Sequence, residues 1–132
     1  VAEPAALEGL DLPFARLAGV ELLSATPEEV RGRMAWHPDR CTSGGILHGG
    51  ALMTLADTVG AVCAFLNLPP GALTATVESK TNFLRAVRSG HADAVATPVH
   101  VGRTMIVVQT DVRDAGGKRV ALVTQTQAVL QG

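Results

Sequence analysis

The hydrophobic pattern changes character twice along the chain. Twelve of the sixteen residues from Ala51 to Leu66 are apolar, with no Pro and no period-two alternation, and "NLPPG" follows at once. That run is long enough for a helix and is stopped sharply by the prolines. Its apolar residues point in nearly every direction around the axis, which predicts a buried helix. Ahead of it, Val20–Leu23 and Val30–Trp36 read as two strands around the turn "SATPEE". Residues 3–18 read as a short helix ending near Gly19, with Pro13 weakening its middle. Behind the central helix come four runs with strand character, 73–84, 92–101, 104–112 and 119–130, separated by the turn-rich "RAVRSGH", "GR" and "RDAGGK". The last three form an antiparallel meander, and Gly116-Gly117 is a hairpin turn. Two strands, one long helix and four strands give an α+β fold in one domain, residues 1–132. A sheet of five or six strands curls around the helix and encloses whatever it carries.

What it carries is one carboxylate. Asp57 is the single charge in the stretch from Gly44 to Phe65, and positions 53, 54, 60 and 61 offer it no cation one helical turn away. A buried, unpaired carboxylate is expensive, so Asp57 either accepts hydrogen bonds from Thr54, Thr58 or a neighbouring strand, lines a solvated cleft, or serves chemistry. Just upstream, His48-Gly49-Gly50 stands where the helix begins, where backbone N–H groups lack partners and the dipole is positive. Gly49 and Gly50 let a substrate approach the backbone, and their amides suit a developing oxyanion. His48 alone would be a packing or capping residue. Gly50 and Asp57 share a face but stand ~10 Å apart along the axis, so one helix cannot bring both to one carbonyl. Two antiparallel copies across a two-fold axis can, which predicts a homodimer with shared sites.

Composition narrows the partners. Eleven basic and twelve acidic residues give a formal net charge of -1 with no run of like charge, so neither nucleic acid nor an anionic membrane is the expected partner. Three Phe, one Trp and no Tyr supply no base-stacking platform. Cys41 and Cys63 are too few for a disulfide framework and lack metal-ligand spacing, which points to a reducing, cytoplasmic setting. The N-terminal residues show no signal-peptide pattern, and no window is expected to reach the ~18 apolar residues of a membrane span.

"LHGGALMTLADTVGA", followed by "TNFLRAV" and "HVGRT", resembles the hotdog-fold acyl-CoA thioesterases, in the phenylacetic-acid-pathway (PaaI-like) and 4-hydroxybenzoyl-CoA thioesterase branch. The likeness spans roughly residues 15–130. It implies a hotdog subunit, a dimer-of-dimers homotetramer, and hydrolysis of an acyl-CoA thioester with no metal and no cofactor beyond the substrate's own coenzyme A. By position, the resemblance gives Gly49 and Gly50 the thioester oxygen and Asp57 the attack on the carbonyl or the activation of water. It gives His48 the motif histidine's place. Thr42 stands where relatives carry Asn or Gln as an orienting polar residue. Arg85 and Arg103 fall in segments used near the pantetheine and nucleotide of CoA, together with Asn82, Phe83, Gly102 and Thr104, and Ala86 replaces the Pro common after the first Arg.

Rival chemistries find less support. No G-x-S-x-G is present and Ser43 reads as a turn residue. Cys41 with His48 as nucleophile and base would leave the helix features idle. His37, His91 and His100 share no ligand motif, and Arg31, Arg33, Arg88, Lys118 and Arg119 read as solvated charges. A non-catalytic acyl-CoA-binding domain and a hotdog hydratase are the alternatives, and release of free CoA thiol separates them from a hydrolase. The acyl group, aromatic or medium-chain, is not specified by the sequence.

Overall fold

The computed structural model describes residues 10–131. In order they form α1 (Pro13–Ala18), β1 (Val20–Ala25), β2 (Val30–Ala35), a 3-10 turn (Pro38–Arg40), α2 (Gly49–Leu66), β3 (Leu73–Phe83), β4 (His91–Val101), β5 (Met105–Asp114) and β6 (Arg119–Leu130). The part of the predicted first helix before residue 10 lies outside the described residues. Pro13 opens α1 instead of weakening it, because a first-turn N–H has no helical partner to lose. Gly19, at φ 83°, closes the helix by donating to the carbonyls of Ala15 and Arg16.

All strand pairs are antiparallel, in the order β1-β2-β4-β5-β6-β3. β4, β5 and β6 make the expected meander, and β3 joins beyond β6 at the edge. α2 lies across one face and touches all six strands. The inward residues of β4 are Ala92, Ala94 and Ala96, small enough to admit the helix, and Leu55 and Val59 of α2 join Met34, Ile106 and Val108 in the core.

Two expectations are corrected. α2 is not buried all round: Gly50, Met53, Thr54, Asp57, Ala61 and Phe65 form an open or half-buried stripe on the side away from the sheet. One curved sheet covers one side of a helix, and among the described residues Leu10–Leu12 and α1 cover only part of the other. α2 is also long and apolar enough, by length and composition alone, to cross a membrane. In this structure that apolarity packs a core.

β3 is the odd strand. Ten of its residues pair with β6, yet Leu73 is 63% exposed, Val77 65% and Phe83 51%, and no strand lies along its outer edge among the described residues. Three of the basic residues read as solvated make ion pairs while staying partly exposed: Arg31 with Glu29 at 2.7 Å, Arg33 with Asp93 at 2.6 Å, and Arg119 with Asp111 at 2.9 Å, which Arg113 also contacts at 2.9 Å. Burial alone would raise the Asp111 carboxyl, but the hydrogen bonds from Arg119 and Arg113 outweigh it and hold the group below its ordinary value.

Candidate active site

The loop before α2 delivers His48 through a run of local hydrogen bonds. His37 Nδ1 accepts from the Asp39 N–H at 3.0 Å, the Thr42 N–H donates to the Ile46 carbonyl at 2.8 Å, and the His48 N–H donates to the Arg40 carbonyl at 2.9 Å. His48 is thereby the N-cap of α2, with φ −60° and ψ 137°. Its Nδ1 accepts the Gly50 N–H at 2.8 Å. A ring nitrogen that accepts carries no proton, so a neutral His48 keeps its proton on Nε2 as a remaining donor. The Gly49 N–H donates no hydrogen bond among the described residues. Of the two glycine amides expected to act together, the structure leaves one without a partner among the described residues. A Cβ on Gly49 would come within 3.2 Å of the Phe83 ring, so the small residue there also admits that ring.

Two turns along, Asp57 is half-buried and its Oδ1 accepts two hydrogen bonds, from Thr76 Oγ1 at 3.2 Å and Gln125 Nε2 at 3.1 Å. The donors come from β3 and β6. Thr54 and Thr58 do not contribute, because their hydroxyls bond back to the helix carbonyls of Gly50 and Thr54. Asp57 faces a cleft of about 620 Å³ between α2 and the chain from Leu10 to Ala15, lined mainly by apolar groups such as Leu12, Phe14, Ala61 and Phe65. A second cleft, about 560 Å³, opens beside His48 and Gly50, and Phe14 and Thr54 border both.

The other candidates are dispersed. Thr42 stands exposed on its turn and lines neither cleft. Asn82 and Phe83 end β3, opposite Leu122 and Ala121. Arg85 follows, its N–H on the Val120 carbonyl, and lines a separate cleft with Arg88 and Lys118. Gly102, Arg103 and Thr104 turn β4 into β5, where the Thr104 carbonyl accepts from the Val129 N–H. Val120 and Val129 are nine residues apart on β6, so at ~3.3 Å per residue Arg85 and Arg103 mark points ~30 Å apart. One chain does not bring them to one ligand. No group of His, Cys, Asp and Glu suited to a metal ion occurs among the described residues.

Sequence reasoning missed Gln125, Thr76 and Gln127. The signal was available on β6, where Val123, Gln125, Gln127 and Val129 alternate onto one face and so place two carboxamides among core residues.

A six-stranded antiparallel sheet laid over one long helix, with a carboxylate on that helix facing an apolar cleft, defines a hotdog-fold protein. The chain belongs to the Thioesterase superfamily, whose profile matches residues 44–121. It is 30% identical over 125 residues to the proofreading thioesterase EntH of Cronobacter sakazakii, covering 94% of this chain and 85% of that protein. To the 1,4-dihydroxy-2-naphthoyl-CoA hydrolase of Escherichia coli it is 27% identical over 121 residues, 92% of this chain and 83% of the relative. The crystal structure of a thioesterase from Haemophilus influenzae superposes with a TM-score of 0.86 at 30% identity, over 89% of this chain and 82% of that one. A variant of the phenylacetic acid degradation protein PaaI from Thermus thermophilus gives 0.83 at 27% identity, over 90% and 100%. The chain spans 62% and 57% of the length of two relatives named as esterases, from Haemophilus influenzae and Vibrio cholerae.

Proposed function

We propose that this chain hydrolyses an acyl-CoA thioester to the free acid and coenzyme A. The observation that carries the reading is Asp57, a carboxylate held through Oδ1 at the wall of an apolar cleft, with Oδ2 taking no hydrogen bond among the described residues. Oδ2 is the oxygen free to add to the carbonyl carbon or to take a proton from a water that adds instead. By either route the C–S bond breaks, the thiolate leaves and takes up a proton, and one water is consumed. The Gly49 N–H, at the positive end of α2, receives the charge that develops on the thioester oxygen. Coenzyme A enters as part of the substrate, and the reaction draws on no other cofactor.

The working unit is a homodimer. Gly49 and Asp57 lie eight residues apart on one helix, about 12 Å along its axis, too far for one carbonyl. An antiparallel pair sets Gly49 of one subunit against Asp57 of the other. The β3 edge supports this, because it carries the exposed apolar side chains Leu73, Val77 and Phe83 and its unpaired backbone groups suit pairing with a second copy. A dimer of such dimers and a cytoplasmic setting complete the reading, the latter resting on two free cysteines. The mainly apolar cleft suits an aromatic or medium-chain acyl group.

Thiol release from a panel of aromatic and aliphatic acyl-CoAs tests the activity. Asp57→Asn is expected to fold and to lose most turnover. A panel with no thiol release would instead favour a non-catalytic acyl-CoA-binding domain, and a folded Asp57→Asn with near wild-type kcat would remove Asp57 from the chemistry.

A further inference from the structure

β6 carries two carboxamides on its core face, and Gln125 and Gln127 are both 0% exposed. Buried amides are tolerated when their donors and acceptors are matched. Gln127 has a neighbour at both ends: its Nε2 donates to Thr76 Oγ1 at 2.7 Å, and its Oε1, at 3.1 Å, shares the single Thr74 hydroxyl proton with the Ala128 carbonyl at 2.9 Å. Gln125 does not. Its Nε2 donates to Asp57 Oδ1 at 3.1 Å, while its Oε1 has no partner among the described residues. An unmatched carbonyl oxygen in the core costs stability, so the contact its amide nitrogen makes with Asp57 is the interaction that accounts for Gln125 there.

The helix makes room for it. A Cβ on Gly60 would lie 2.1 Å from Gln125 Oε1 and 2.6 Å from its Cδ, so only a glycine at that turn of α2 admits the carboxamide. The directions of the hydrogen bonds are also set. An ionised carboxylate only accepts, so the amide nitrogen of Gln125 must face Asp57. The Gln127 amide nitrogen only donates, so it occupies a lone pair of Thr76 Oγ1 and leaves that hydroxyl's own proton for Asp57. Both donors therefore converge on Oδ1.

We propose that Gln125, seated in the notch of Gly60, is a positioning residue that acts with Thr76 and Gln127 to pin one oxygen of Asp57 and present the other to the thioester. The inference rests on the hydrolase reading above and deepens it. Gln125 touches no reacting atom. It removes the rotation of the carboxylate that would otherwise present either oxygen, or neither, in the attacking direction.

The test is a cycle of variants followed by thiol release. Gln125→Met keeps the side-chain volume while removing both the donor and the unmatched acceptor. It is expected to keep or raise Tm, to lower kcat on the order of 10- to 100-fold, and to leave KM within about twofold. Placed in an Asp57→Asn background and measured in single turnover at high enzyme concentration, the same change is expected to leave the residual rate where it was, since no carboxylate remains to be positioned. A merely structural Gln125 would lower both backgrounds alike, and that result overturns the proposal, as does a Gln125→Met enzyme with wild-type kcat. Gly60→Ala, whose Cβ displaces the carboxamide, is expected to reproduce the kcat loss and provides the same test if Gln125→Met fails to fold. An Asp57→Asn enzyme that turns over normally sinks the hydrolase role of Asp57 itself. An inactive Asp57→Asn beside a fully active Gln125→Met sinks only the positioning role.

Discussion

His48 Nδ1 accepts the Gly50 N–H at 2.8 Å, and this one bond divides two adjacent glycines into a capped amide and a free one. The division can be read out with proline. Gly49 is the first residue of α2, where a proline ring is tolerated, and His48 before it already has the extended φ and ψ that a following proline requires. Gly49→Pro is expected to stay folded, with the Phe83 ring shifting to make room, and to lose kcat by on the order of 10²–10³-fold as the donor disappears. The measurement is thiol release beside a thermal melt. Wild-type turnover in a folded Gly49→Pro protein would mean that the oxyanion is stabilised elsewhere.

Complementation follows from the same geometry. If Gly49 of one subunit works with Asp57 of its partner, co-expressed Asp57→Asn and Gly49→Pro chains assemble some dimers with one intact site. With random pairing about half the dimers are mixed and each carries one good site, so roughly a quarter of wild-type sites return. Tagging the two chains differently and assaying the doubly purified heterodimer isolates the effect. No gain over either parent, in a heterodimer shown to be folded, is the outcome that excludes a shared site.

The two thiols are expected to differ. Burial pushes the Cys63 thiol up to about 11, so at pH 8 about one in a thousand of these groups is the reactive thiolate. Cys41 is only half-buried, on the loop before α2. A disulfide reagent added to native protein at pH 8 should therefore titrate one thiol quickly, and two after denaturation. A fast second thiol in the native state would show that the core around Cys63 opens readily.

Much of the architecture is legible in the sequence because its signals are local. Arg119–Leu130 is rich in β-branched residues between turn signals, and its observed bounds coincide with the expected ones. The α2 run is too long and too apolar to be a strand. What the sequence withholds is what lies across from each residue. Apolarity around α2 suggested burial on every side, yet Met53 and Phe65 are exposed because apolar character does not state which neighbour covers it. Asp57 and the His-Gly-Gly start are legible as a spacing. The donors that hold Asp57 are not, because Thr76 and Gln125 reach it from strands 19 and 68 residues away in the chain. Gln125 looks like an ordinary surface polar residue until the face it shares with Val123 is traced.

The cleft beside Asp57 has two walls with separate origins in the chain. One belongs to α2, with β3 and β6 behind it, and carries Asp57; the other is the stretch from Leu10 to Ala15, which adds no hydrogen bond to Asp57. That second wall makes few demands on the core, and Phe14 and Leu17 of α1 are largely exposed. On the proposed function, substitutions between Leu10 and Ala15 are expected to alter acyl preference without disturbing the hydrogen bonds that hold Asp57. A lineage seeking a new acyl preference would have in Leu10–Ala15 a short segment to vary while the Thr76 and Gln125 bonds to Asp57 stay as they are.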